Sequence, residues 1–278
     1  MIKRIIAPFF AAGITLAAFA QELPQPSPLG SVEQTIGLTK VKVTYSRPSI
    51  KKRQIFGGLV PYDKVWRTGA NKATRIELSG PVMIQGMELP QGTYAMFTLP
   101  GNEQWVVMFN KNADQSGTSK YDQTQDVVQV KVPVQKSERT ETFTIDFANV
   151  TGSTADLELR WEDVVVRVPM EADPTEQGFK NIGSALAEGN VDASGYNRIA
   201  RFFLDHGKSK EALEYAERSV QKEEHYWNSF TLALARKANG DDEGAVKSAE
   251  RARELAVKDD DQAMMEQIDG KLKEWARK

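Results

Sequence analysis

Eight basic side chains, Arg47, Lys51, Lys52, Arg53, Lys64, Arg67, Lys72 and Arg75, fall in one stretch whose sole acid is Asp63. Tyr45, Phe56, Tyr62 and Trp66 are interleaved with them. Two roles fit that composition. In the first, guanidinium forks grip a carboxylate or phosphate and an indole offers its flat apolar face to a sugar ring. Arg47, Arg53, Tyr62, Trp66, Arg67, Asn71 and Lys72 are then the residues expected to bind a small anionic or glycan ligand. In the second, Trp66 plugs the end of a β-sandwich, while Arg67 and Asn71 bond loop carbonyls that need partners. The residue types alone do not decide between them.

Other chemistry is more restricted. The chain has two histidines, His206 and His225, and no cysteine. Both histidines follow Pro174, so the part before it can build neither a Ser-His-Asp or Cys-His centre nor a His- or Cys-ligated zinc site. His206 falls at a turn between helices and His225 at the start of one, as solvated or capping residues do. Carboxylates remain. Glu88, Glu103, Asp114, Asp122, Asp126, Glu162 and Asp163 could supply the pair that a glycosidase needs, although no spacing matches any two of them. A carbohydrate-active enzyme is therefore the alternative function.

Ser49–Lys52 has the S-x-x-K letters of penicillin-recognising enzymes without their companion motifs, and it leaves a strand rather than opening a helix. Asn110, Asn112 and Asp114 follow the start of a calcium loop, but Gln115 takes the place of the turn glycine and Tyr121 that of the closing glutamate. Asn110–Asp126 reads instead as a mobile surface loop. No catalytic residue, metal or cofactor is assigned. The formal net charge is -2, with acids and bases interspersed, so a nucleic-acid partner is not expected.

The elements that must carry these residues change character along the chain. All twelve prolines fall at or before Pro174. Proline is excluded from helix interiors and tolerated in turns and at strand edges, so Val168–Gly178 marks a seam. Before it, apolar residues alternate with period two, as in Val41-Val43-Tyr45, Val128-Val130-Val132-Val134 and Phe143-Ile145-Phe147. Tyr94–Leu99 and Trp105–Phe109 are apolar on both faces, as central strands are. Eight or nine such runs, separated by turn signals, predict an all-β antiparallel sandwich or barrel-like domain.

After the seam the period becomes 3.6, and the sequence repeats itself. His206–Val220 and Asn239–Arg253 align with a shift of 33 residues, matching Gly207 with Gly240, Ala212 with Ala245 and Ala216 with Ala249. That period predicts an α-helical, tetratricopeptide-like domain. The second copy departs from the pattern at Arg236, where a large aromatic is usual. Further helices are expected over Glu176–Glu188 and Gln262–Arg277.

The chain opens with Lys3 and Arg4, an apolar run over Ile5–Phe19 and the small-residue pattern Ala18-Phe19-Ala20, the composition of a cleaved leader. The expected organisation is a signal peptide over 1–20, a mature N-terminal segment over 21–36, a β-sandwich over 37–170 and a helical repeat domain over 171–278. Cleavage near Ala20 makes the protein periplasmic or secreted, and not membrane-spanning.

"YSRPSIKKRQIFGGLVPYDKVWRTGANKATRIEL", followed by "LPQGTYAMFTLP" and "YDQTQDVVQVKV", resembles a family of secreted bacterial proteins known as domain of unknown function 2911. The resemblance extends from about Gly37 to Pro169. It implies an all-β, signal-bearing domain without an established activity, sometimes joined to helical repeats. The chain departs from the family pattern at Lys52 and Asp63, where glycine is usual. Together these features lead us to expect an exported, non-catalytic binding or scaffold protein of the bacterial envelope. Its β domain would meet a ligand or surface, and its helical pairs would contact a protein partner or brace the molecule.

Overall fold

The computed structural model describes residues 24–277, so the leader expected over residues 1–20 lies outside the described residues. The chain divides into two compact units, one ending at Pro174 and the other beginning at Thr175.

Among the described residues the first unit holds ten strands: β1 (Leu29–Ile36), β2 (Thr39–Ser46), β3 (Thr74–Leu78), β4 (Val82–Ile84), β5 (Met87–Leu89), β6 (Gly92–Leu99), β7 (Gln104–Asn110), β8 (Asp126–Pro133), β9 (Gln135–Ala148) and β10 (Thr154–Glu171). They form two antiparallel sheets, ordered β1-β2-β3-β6-β7-β8 and β5-β4-β10-β9. Alternation decides which face is buried. Val41, Val43 and Tyr45 of β2 point into the core, as do Val128, Val130 and Val132 of β8, while Lys40, Lys42, Gln129 and Lys131 face water. β6 and β7 are central and apolar on both faces. One face enters the main core through Met96, Trp105 and Phe109. The other forms a smaller cluster of Ala73, Ala95, Phe97 and Met108, with Val65, Leu99, Val106 and Tyr121 packed against it.

One feature differs from the expectation. β1 lies in the stretch assigned to a segment ahead of the β domain. It is an edge strand whose Leu29, Ser31, Glu33 and Thr35 are exposed, and Ile36 alone is fully buried, so it lacks the apolar alternation that marks β2. β10 is one strand of 18 residues, and its apolar parity switches between Trp161 and Val164. Irregular pairing with β9 at Arg160, Glu162 and Val164, with Glu162 at φ 54°, absorbs the switch. The strand also bends there. Arg167 reaches Glu158 at 2.6 Å, across nine residues that would span roughly 30 Å if extended.

The side of β9 turned away from β10 is occupied by the end of β2 and the Pro48–Ile50 turn. Ile50 N–H donates to Glu141 O (2.9 Å), and Phe143 N–H donates to Pro48 O (2.8 Å). The Tyr45 hydroxyl accepts from Ile145 N–H (2.8 Å) and donates to Ile145 O (3.0 Å). The two sheets are thus joined along one side, a partial closure of the sandwich.

The second unit contains α1 (Thr175–Glu188), α2 (Ala193–Asp205), α3 (Ser209–Lys222), α4 (Tyr226–Ala238), α5 (Asp242–Lys258) and α6 (Gln262–Trp275). Asp192, Asp241 and Asp261 cap α2, α5 and α6 by accepting backbone N–H bonds. Short turns link α2 to α3 and α4 to α5, making two helix hairpins in the register of the 33-residue repeat. Their contacts are built on alanine: Ala200, Ala212, Ala216 and Ala235 in one cluster, Ala233, Ala249, Ala252 and Ala256 in the next. Among the described residues no helix is long and apolar enough to cross a membrane.

Candidate functional site

Residues 47–73 connect β2 to β3, and unusual backbone shapes their path. Lys51, Lys52, Asp63, Thr68 and Asn71 all have positive φ, between 48° and 61°. Lys52 and Asp63 hold this left-handed conformation although each carries a side chain.

Trp66 is 8% exposed. Its backbone pairs with Thr98 in both directions, at 2.7 and 2.9 Å, and its indole N–H donates to Gly69 O at 3.0 Å. The ring stacks on Trp161 at 5.8 Å and meets Phe143 at 5.1 Å, Trp105 at 6.1 Å and Phe56 at 6.5 Å. Such edge and stacked contacts add to the burial of large apolar surfaces. The indole therefore belongs to the core and offers no open face to a sugar ring, which is the plug role.

Most of the other candidates hold loops in place. Arg47 donates through Nε to Phe143 O (3.3 Å) and through Nη2 to Thr144 Oγ1 (2.9 Å). Arg53 donates to Ile50 O (3.0 Å) and Ser49 O (2.6 Å), closing its own turn. Asn71 Nδ2 donates to Ser27 O (3.3 Å) and Ser46 Oγ (3.2 Å). Tyr62 is half-buried against the main core. Lys72 is exposed and bridges to Ser116 through its backbone. Arg67 is half-buried, and its Nε has no hydrogen-bond partner among the described residues. The partners of these side chains are dispersed over β9, the Pro48–Ile50 turn, the N-terminal segment and the loop after β7. The fold does not gather the basic block around one centre.

The loop after β7 is more ordered than its polar sequence implies. Asn110 and Gln115 are buried. Asn110 Nδ2 donates to Asp126 Oδ1 (2.7 Å) and Asp122 O (2.9 Å), while its Oδ1 accepts from Gln115 Nε2 (3.1 Å). Ala73 N–H donates to Gln115 O (2.9 Å). The Tyr121 ring lies 4.9 Å from Phe97, and its hydroxyl donates to Asp126 Oδ2 at 2.5 Å. Burial, and then the bond to Asp126, push the Tyr121 hydroxyl well above the usual phenol range. The loop is thus a tied cover over the outer faces of β6 and β7, in place of the mobile loop expected. Gln115 and Tyr121, which in the sequence are only misfits in a calcium pattern, are two of its fasteners.

Three of the carboxylates raised for an enzymatic pair, Asp122, Asp126 and Glu162, have structural partners of their own. Asp126 receives Asn110, Tyr121 and Gln129. Asp122 is held below the ordinary carboxylate range by the Thr124 hydroxyl and N–H. Glu162 accepts from Phe56 N–H at 3.4 Å. Among the described residues no group of three or more His, Cys, Asp or Glu is placed to hold a metal ion. One charged cluster is not legible in the sequence: Glu158, almost buried, lies between Arg160 (3.0 Å) and Arg167 (2.6 Å). Because β10 bends, Arg167 lies far from Glu158 in sequence and close to it in space.

Residues 27–170, just over half of the chain, match a family described as "Protein of unknown function (DUF2911)". The match begins two residues ahead of β1 and ends inside β10. No curated protein matches the chain.

Proposed function

The chain belongs to this family of unknown function, and from that premise we propose that it is an exported, non-catalytic binding or scaffold protein of the bacterial envelope. The observation that carries the proposal is how the basic block is used. Trp66, Arg47, Arg53 and Asn71 are engaged in packing and in bonds to backbone or hydroxyl groups of the same unit. A catalytic centre needs such groups to stay available to a substrate. Here they make a rigid frame, from which Arg67 and Lys72 meet a small anionic or glycan ligand, or a surface. The helix hairpins contact a protein partner or brace the molecule.

The test is to incubate the mature protein with envelope and environmental polysaccharides and to assay both retention and release of reducing sugar. Retention by an envelope fraction without turnover above buffer is the expected result. Turnover on any polysaccharide would replace this function with the carbohydrate-active one.

A further inference from the structure

The two helix hairpins share a register, and three of the positions at which they differ belong together. With the 33-residue shift, Tyr196, Phe203 and Tyr215 of the α2–α3 hairpin correspond to Ser229, Arg236 and Ser248 of the α4–α5 hairpin. In the first hairpin the three rings stack. Tyr215 lies 6.3 Å from Tyr196 and 5.4 Å from Phe203, each nearly parallel at 13°. In the second, where two of the three side chains shrink to serine, there is a cleft of about 210 Å³. Ser229 and Arg236 line it from α4, and Lys247, Ser248 and Arg251 from α5. Val220 and Leu232 supply apolar wall.

The hydrogen-bonding capacity left in this cleft is mostly that of donors. Ser229 is 3% exposed, and its hydroxyl has no partner among the described residues. Arg236 uses Nη1 on Ser248 Oγ (2.8 Å) and Gly244 O (3.4 Å). Its Nη2 and Nε stand 3.9 Å from Glu217 and Asp241, attracted but beyond hydrogen-bond reach. Lys247 adds an ammonium. The one lining carboxylate, Glu224, is already taken by Arg251 through three contacts of 2.7 to 3.2 Å. Guanidinium and ammonium groups have donors and no acceptors, and what completes such a set is an oxyanion.

We infer that the cleft between α3, α4 and α5 binds a small oxyanion, a carboxylate or phosphate group on a short apolar stem that lies along Val220 and Leu232. Glu217 and Asp241 oppose an anion from beside Arg236 and keep the affinity modest. The site goes beyond the function proposed above and does not depend on it.

The test monitors backbone amide shifts of Ser229, Arg236 and Ser248 in the mature full-length chain. The protein is titrated at constant ionic strength with glutarate and with inorganic phosphate, and with neutral glutaramide as control. Saturable shifts with at least one anion and none with glutaramide are expected, and whichever anion acts identifies the oxyanion. Arg236→Gln and Lys247→Gln should each weaken binding about tenfold, the effect of one lost charge-assisted bond. The double variant Ser229→Tyr/Ser248→Tyr, which restores rings found in the first hairpin, should abolish binding. If it fails to fold, Lys247→Gln at its exposed position carries the test. No saturable shift with either anion, or shifts unchanged in Lys247→Gln, would overturn the site.

Discussion

The two units are stabilised by opposite means. The β unit is filled with large rings: Trp66, Trp105, Trp161, Phe56 and Phe143 are in mutual contact. The helical unit is packed on alanine, with eight of them in its two clusters. Facing sheets lie about 10 Å apart and need volume between them. Helices that meet through alanine come close, and the contact is made by backbone and small side chains. In the first unit what matters is the volume that a side chain supplies; in the second it is the volume that a side chain withholds. The difference teaches that one substitution scale cannot serve the whole molecule. Shrinking a residue is the severe change before Pro174, and enlarging one is the severe change after it.

Trp161→Ala should break the β unit most, because it removes the ring that stacks on Trp66 and meets Phe56 and Phe143. A loss of about 3–5 kcal/mol in urea unfolding is expected, and a loss much smaller than this would mean that the aromatic cluster is not what fills the sandwich. The mirror experiment is Ala249→Leu, at a fully buried position of α5. Overpacking there should cost about 1–3 kcal/mol, and a neutral result would show that the helices are not in close approach at alanine. Arg47→Ala strands the Phe143 carbonyl and leaves the Thr144 hydroxyl with its bond to Thr142 O alone. About 1–2 kcal/mol is expected in the same assay.

The smallest effect is that of acid on the helical unit. Bonds to Arg251 and Arg253 hold the Glu224 and Asp269 carboxyls below their ordinary values of 4.5 and 3.8. The unfolded chain therefore binds protons at a higher pH than the folded one does. The stabilisation from these pairs is complete above the ordinary values and is lost as pH falls through the lowered ones. Both pairs are exposed, so solvent screening keeps the loss small. Thermal melts measured by circular dichroism between pH 7 and pH 3 should show a slight decline confined to the acid end, and a decline beginning near pH 6 would assign it to other groups.

Sequence pattern is enough for what depends on near neighbours. The parity of Val41-Val43-Tyr45 and of Val128-Val130-Val132 places β2 and β8 correctly, because burial on one face writes itself into every second residue. The repeat of Gly207 at Gly240 marks the hairpin turns, where both glycines have positive φ. What stays hidden depends on residues far apart in the chain. The role of Trp66 is set by Trp105, Phe143 and Trp161, 39 to 95 positions away, and no local pattern reports them. β1 escapes a reading by period because an edge strand with one buried residue has no period to read. At Trp161–Val164 the change of parity is visible, but its meaning, a bend that brings Arg167 to Glu158, emerges only in the folded chain. Arg236 stands out in the sequence as a departure from the repeat. Its consequence appears only when Ser229 and Ser248 are found beside the same cleft.

The phenol of Tyr45 has a consequence beyond the bonds it makes. A strand of 14 residues paired on one side is a template onto which another chain can crystallise its own backbone, the first step of fibre growth and domain exchange. Tyr45 takes up both the N–H and the C=O of Ile145 with a single hydroxyl, and Arg47 takes the carbonyl of Phe143. Side chains cannot be copied along a growing edge as a strand can, so the template ends with them. For a chain without cysteine to cross-link it, this polar stopper guards against self-association at the point where the two sheets meet.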